Sequence, residues 1–105
     1  MTYRIPSDRE PTHPGEMLIE EFLKPMGLTQ VELAGAIGVP YQRINELIYG
    51  KRGVTPSTAI RLAKFFGMSV SFWMNLQQRW DIYRAWRKEA EEIAKISVFQ
   101  QESNR

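Results

Sequence analysis

The stretch TQVELAGAIGVPYQRINELIYGKRG, residues 29–53, constrains the fold more than any other part of the chain. Thr29 reads as a helix N-cap, with Glu32 three residues later completing a capping box. The helix opened by this cap is expected to bury Val31, Leu33, Ala34 and Ile37 and to stop at Gly38. Pro40 stands at or near the start of the next helix, where its missing N–H does no harm. So short a connection forces a sharp angle between the two helices, and Ala34 is small where they must approach. This is the helix-turn-helix arrangement, in which the second helix lies in the DNA major groove.

The second helix supports that reading. Val39, Ile44, Leu47 and Ile48 fall on one face, while Tyr41, Gln42, Arg43, Asn45 and Glu46 form the outward one. These are large hydrogen-bonding groups, unlike the Lys/Glu mixture of an ordinary solvated face. Gln42 and Asn45 can offer paired donor and acceptor groups to adenine, and Arg43 can address guanine or a phosphate. Tyr41, at the end of the helix that enters the groove, suits a thymine methyl or a phosphate. Glu46 completes the surface, and Lys51 and Arg52 come directly after the helix as backbone grips. The N–H groups that open the preceding helix at Thr29, with Gln30, suit phosphate in the same way.

Helical signals continue through most of the chain. Residues 1–13 read as a polar arm and 97–105 as a tail, with one domain over 14–96 and its core motif at about 29–49. The first helix opens at Pro14 or Gly15, buries Met17, Leu18, Phe22 and Leu23, and is expected to end at Pro25 and Gly27. Thr55-Pro56 opens a fourth helix, with Ile60, Leu62, Ala63, Phe65 and Phe66 expected inside and Gly67 as its stop. Ser69 caps a fifth, expected to run from about 70 to the mid-90s. No strand-period alternation or internal repeat appears. The expected fold is all-α: a compact bundle of five helices, the last one long.

Charge is unevenly placed. Residues 1–40 carry a balance of −3, residues 41–64 of +4, and residues 65–105 of +1. The positive excess therefore centres on the outward helix and the residues just after it, the usual footprint of a polyanion site, although chance clustering gives the same pattern. The chain has no cysteine, which excludes a disulfide scaffold and cysteine-based zinc sites. No signal peptide or membrane-spanning run is read, so the expected compartment is the cytoplasm. His13 is the only histidine and reads as a capping or surface residue. Without a nucleophile motif, phosphate loop or metal-ligand spacing, neither an enzyme, a metal site nor a cofactor is expected.

Phe72, Trp73, Trp80, Tyr83 and Trp86, with Leu76, Ile82, Ala90 and Ile93, cover about half the circumference of the fifth helix. A helix packed on one side of a small domain needs a stripe of about 100° or somewhat more. The surplus points to a second surface, and a homodimer is the default. The five aromatics are the candidate interface.

The motif Thr29-Gln30, Leu33-Ala34, Gly38-Val39, Ile44 and Gly50-Lys51-Arg52 resembles the Cro/C1-type (XRE) helix-turn-helix family. HPGEMLIEEFLKPMGLTQ at 13–30 and SFWMNLQQRWDIYRAW at 71–86 are similar to the corresponding segments of HigA-type antitoxins. Pro40 stands where the wider family often has an N-capping Ser or Thr, and Tyr49 where Asn is common. The resemblance implies a lambda-repressor-like domain, a dimer that represses its own operator, and neutralisation of a small mRNA-cleaving toxin by direct binding. The alternatives are a stand-alone repressor and an interaction module whose helix-turn-helix no longer reads DNA. For a toxin, the candidate surface is acidic: Glu16, Glu20 and Glu21 on the first helix, expected on the side of the domain opposite the DNA face.

Overall fold

Helix α1 is continuous but changes pitch. It begins α-helical at Pro14–Leu18, widens to a π-helical turn at Ile19–Leu23, and returns to α over Lys24–Met26. The helix ends at Gly27, as expected, and the widening explains how it first passes through Pro25. Proline lacks an N–H, and its ring crowds the carbonyl four residues back. With the Lys24 N–H bonded to the Ile19 carbonyl, the register is shifted by one just before Pro25. The helix then continues through Met26 and stops at Gly27, whose φ of +63° is a left-handed cap.

The computed structural model describes residues 9–100 and is all-α, with five further helices among the described residues: α2 (Gln30–Ile37), α3 (Tyr41–Ile48), α4 (Pro56–Phe66), α5 (Val70–Lys88) and α6 (Ala90–Ala94). Residues 1–8 of the expected arm and 101–105 of the expected tail lie outside the described residues. Thr29, Thr55 and Ser69 each cap a helix through the side-chain oxygen, and Thr29 and Glu32 form the full reciprocal box. α5 ends at Lys88 rather than running on into the mid-90s. Glu89, at φ −117° and ψ 22°, leaves the helix before α6 begins. The local charges favour that break: Arg87 and Lys88 suit the C-terminus of α5, and Glu91 and Glu92 suit the N-terminus of α6.

Leu18 and Leu23 from α1, Leu33 and Ile37 from α2, Ile44 and Leu47 from α3, Leu62 from α4, and Trp73 and Leu76 from α5 meet in one core. Three expected core residues are outside it: Val31, Ile60 and Phe65 are 65%, 55% and 42% exposed. Each lies about 200° around its helix from a buried neighbour two residues away, Leu33, Leu62 or Ala63. Trp73 is fully buried, against Phe22 at 5.1 Å and Phe72 at 5.1 Å between ring centroids. Its candidacy as an interface residue is therefore corrected, because it has no surface to offer a second chain. Tyr83 is also buried, with Arg87 over its ring.

His13 fastens α1 to α5. Its Nδ1 accepts from the Gly15 N–H at 2.9 Å, and its ring meets Trp80 edge-on at 4.9 Å. Burial pushes the imidazole pKa down, outweighing the opposing pull of Asp81 and Glu16, while Arg84 adds to the lowering. Protonating Nδ1 would remove the cap. In the unfolded chain this histidine titrates at about 6.5. The unfolded state therefore binds more protons between the depressed folded value and about 6.5, and stability falls as pH drops through that window. His13→Asn keeps a capping oxygen without a titration. Its stability should be flatter below pH 6.5 than that of the unaltered chain, measured by urea unfolding at a series of pH values; parallel curves would refute the role.

Candidate nucleic-acid interface

The α2–α3 turn is set by Gly38. Its φ of +72° is open to glycine, and the Val39 N–H reaches back to the Ala34 carbonyl at 3.0 Å. Arg61 of α4 completes this turn, with Nη1 donating to the Ile37 carbonyl at 2.7 Å. α3 then starts from Pro40 in extended conformation, with no side-chain cap. Ile44 and Leu47 point inward and are fully buried. The residues between them are left to face out.

α3 ends in a Schellman motif. Gly50, at φ +73°, donates to the Leu47 carbonyl at 3.1 Å, and Lys51 donates to the Glu46 carbonyl at 2.8 Å. This fixes where Lys51 and Arg52 leave the helix, both exposed. The loop after them is pinned from below by Gln77 of α5. Its Oε1 accepts from the Val54 N–H at 2.7 Å, and its Nε2 donates to Asp81 at 2.9 Å. A Cβ on Gly53 would come within 2.7 Å of the same amide, so a larger residue here would have to displace Gln77 from the Val54 N–H. Neither Gln77 nor Arg61 stands out in the sequence. The available signal for Gln77 is a polar residue four positions after Trp73 on the buried side of α5, with Asp81 four further on.

The expected contact residues come together and bond to one another. Asn45 Nδ2 donates to Gln30 Oε1 of α2 and to the Tyr41 hydroxyl, each at 3.1 Å. Gln42 Nε2 donates to Glu46 Oε2 at 3.0 Å, and Arg52 donates from Nε and Nη2 to Glu46 Oε1 at 3.0 and 2.9 Å. Those donors hold the Glu46 carboxyl below its usual pKa, Arg52 most strongly. Arg43 lies half-buried on the same helix. At the start of α2, the Glu32 N–H is already taken by Thr29 Oγ1 and the Thr29 N–H by Glu32 Oε1. Any phosphate contact there falls to the amides of Gln30 and Val31 and to the Gln30 side chain.

Glu20 pairs with Lys24 at 2.9 Å, and Glu21 is exposed beside it. Glu16 is not on the opposite side from the DNA face, as expected. It lines an open depression with His13, Gln30, Tyr49, Gly50 and Trp80, next to the end of α3. The close seat of α1 on the end of α3 brings it there, and that is not visible in a charge count.

A capped α2 with one buried face, a three-residue turn and an outward polar α3 flanked by cations place the chain among helix-turn-helix domains of the Cro/C1 type. Comparison with known proteins agrees. Residues 19–73 match the helix-turn-helix family HTH_3. Antitoxin HigA-1 of Vibrio cholerae is 40% identical over 101 residues, covering 92% of this chain and 94% of that one. Virulence-associated protein I of Dichelobacter nodosus is 48% identical over 73 residues, covering 70% and 68% respectively. The solved structure of Pseudomonas aeruginosa antitoxin HigA with the higBA promoter superposes with a TM-score of 0.82 at 34% identity, covering 86% of this chain and 99% of that one. The chain belongs to the helix-turn-helix family HTH_3, and within it to the HigA-type antitoxins.

Proposed function

We propose that this protein is a sequence-specific DNA-binding antitoxin and the transcriptional autorepressor of a type II toxin–antitoxin operon in the cytoplasm. The observation that carries the DNA reading is the outward face of α3, where Tyr41, Gln42, Arg43 and Asn45 stand behind a rigid turn and beside Lys51 and Arg52. Near-full-length similarity to an antitoxin supports the rest. Phosphates are met by Lys51 and the start of α2, and base edges by Gln42 and Asn45. The protein acts as a symmetric dimer through the half-exposed part of α5, with Trp80 and Trp86 contributing and Phe72 at its margin, while the buried Tyr83 lies behind them. Two recognition helices then meet successive major grooves about 34 Å apart. The domain that does this spans residues 14–96.

Titration against the duplex upstream of its own reading frame and against a scrambled duplex tests this. Gln42→Ala or Asn45→Ala should cost about 1–3 kcal/mol on the upstream site and relax its preference. Lys51→Ala should weaken binding to both duplexes and lower the salt slope by about one. Two chains should bind per site. Unchanged affinity and preference in the Gln42 and Asn45 variants would refute the assignment of α3.

The toxin is held by the exposed carboxylates of α1, Glu16, Glu20 and Glu21, which complement a basic RNA-cleaving partner. A stand-alone repressor is the second reading, because the same carboxylates also serve simply to solubilise α1. Co-expression with the adjacent reading frame separates the two. Co-purification of a small protein that is toxic without this chain supports the antitoxin, and its absence leaves the repressor.

A further inference from the structure

We propose that Glu46 sets the selectivity of the interface without touching a base, by orienting Gln42 and holding Arg52 away from phosphate. The proposal rests on the reading of α3 as the DNA-recognition helix. It starts from an anomaly: a carboxylate in the middle of a surface that meets a polyanion. Arg43, Lys51 and Arg52 are the cations of this stretch, and Glu46 is its only anion.

Both Glu46 oxygens are in use. Oε1 takes Nε and Nη2 of Arg52, and Oε2 takes Nε2 of Gln42. The two links do different things. A glutamine reads adenine by donating one amide N–H and accepting at its carbonyl oxygen. The amide has two N–H groups. One can stay on Glu46 while the other, with Oε1, faces the base, so the carboxylate holds the amide in a reading orientation. Arg52 is treated in the opposite way. Paired to Glu46 it adds no net charge, and the sequence-independent attraction of this stretch falls from three cations to two. Each phosphate neutralised contributes about 0.9 to the salt slope of binding to duplex DNA. Withholding one cation therefore weakens binding to every sequence, while correct orientation of Gln42 strengthens binding to one. Selectivity rises on both counts. The carboxylate and guanidinium are solvent-accessible, and exposed ion pairs contribute little to stability. Glu46 can therefore be changed without unfolding the domain.

The test uses the full chain with the upstream and scrambled duplexes, and upstream duplexes altered one base pair at a time. Glu46→Gln keeps an acceptor for Gln42 but removes the charge that holds Arg52. It should bind scrambled DNA roughly tenfold more tightly at about 50 mM salt, with a slope steeper by about one. Glu46→Ala also frees Gln42, and should erase the preference at the same base pair that Gln42→Ala erases. Adding Glu46→Ala to Gln42→Ala should then change no base preference further. Loss of preference at a different base pair in Glu46→Ala would show a direct base contact and overturn the proposal. So would unchanged affinity of Glu46→Gln for scrambled DNA. Failure of the unaltered chain to bind either duplex would instead refute the DNA reading of α3, and the proposal with it.

Discussion

Gly15→Ala is expected to destabilise the domain by about 3 kcal/mol, even though alanine is the better helix former. A Cβ built on Gly15 collides with the Leu47 carbonyl oxygen and lies 2.6 Å from its carbon and 2.8 Å from Ile48 Cα. These are backbone atoms at the end of α3, and no rotamer change relieves them. α1 must back away from α3 and open the core around Leu18, Ile44 and Leu47. Gly35→Ala is the control. It also replaces a helical glycine, but its Cβ meets nothing within 4 Å, and a gain of up to about 1 kcal/mol is expected. Thermal unfolding should show Gly15→Ala lower by more than about 10 °C and Gly35→Ala slightly higher. Equal shifts would mean that α1 and α3 are not in this close contact. Because the contact is with the last turn of the recognition helix, Gly15→Ala should also weaken operator binding under conditions where it remains folded.

Trp73→Ala is expected to cost about 3–5 kcal/mol, the range for emptying a fully buried aromatic site. That is a large part of the roughly 5–15 kcal/mol by which domains are stable. Trp73→Phe should cost far less. The indole Nε1 is buried with no hydrogen-bond partner among the described residues, so phenylalanine removes an unsatisfied donor while filling most of the space. Urea unfolding should give a large fall in midpoint for the alanine variant, a small one for phenylalanine, and a similar m value for both. Trp73→Phe should leave self-association unchanged, because the residue is sealed inside one chain. A comparable loss in the two variants would refute this account of the packing.

Much of the fold could be read from local chemistry. Thr29, Thr55 and Ser69 were legible as caps because capping is an interaction between a side chain and amides two or three residues away. Gly27, Gly38 and Gly67 were legible as stops for a similar reason: each takes a left-handed φ at a helix end. The inward face of α3 followed from periodicity, and its polar outward face from the residues left over. The passage of α1 through Pro25 was not legible, since it depends on a one-residue shift of register within the helix.

The sequence alone therefore determined the order of the helices, the turn between α2 and α3, and the chemical character of the face that α3 presents. Each of these depends on residues within about a turn of one another. Only the tertiary structure decided which apolar residues are core. Val31, Ile60 and Phe65 are as hydrophobic as their buried neighbours, and only the position of the other helices leaves them outside. The same holds for Trp73, which was indistinguishable in sequence from the half-exposed Trp80 and Trp86 until α1 and α4 were packed around it. The tertiary structure also revealed Gln77 beneath the Val54 amide, Arg61 on the Ile37 carbonyl and Glu16 beside Tyr49. The two hydrogen bonds join residues 23 and 24 positions apart, the depression gathers residues 33 apart, and no local pattern encodes them. They arise where packing of the core brings distant helices side by side, and that packing sets where these side chains end up.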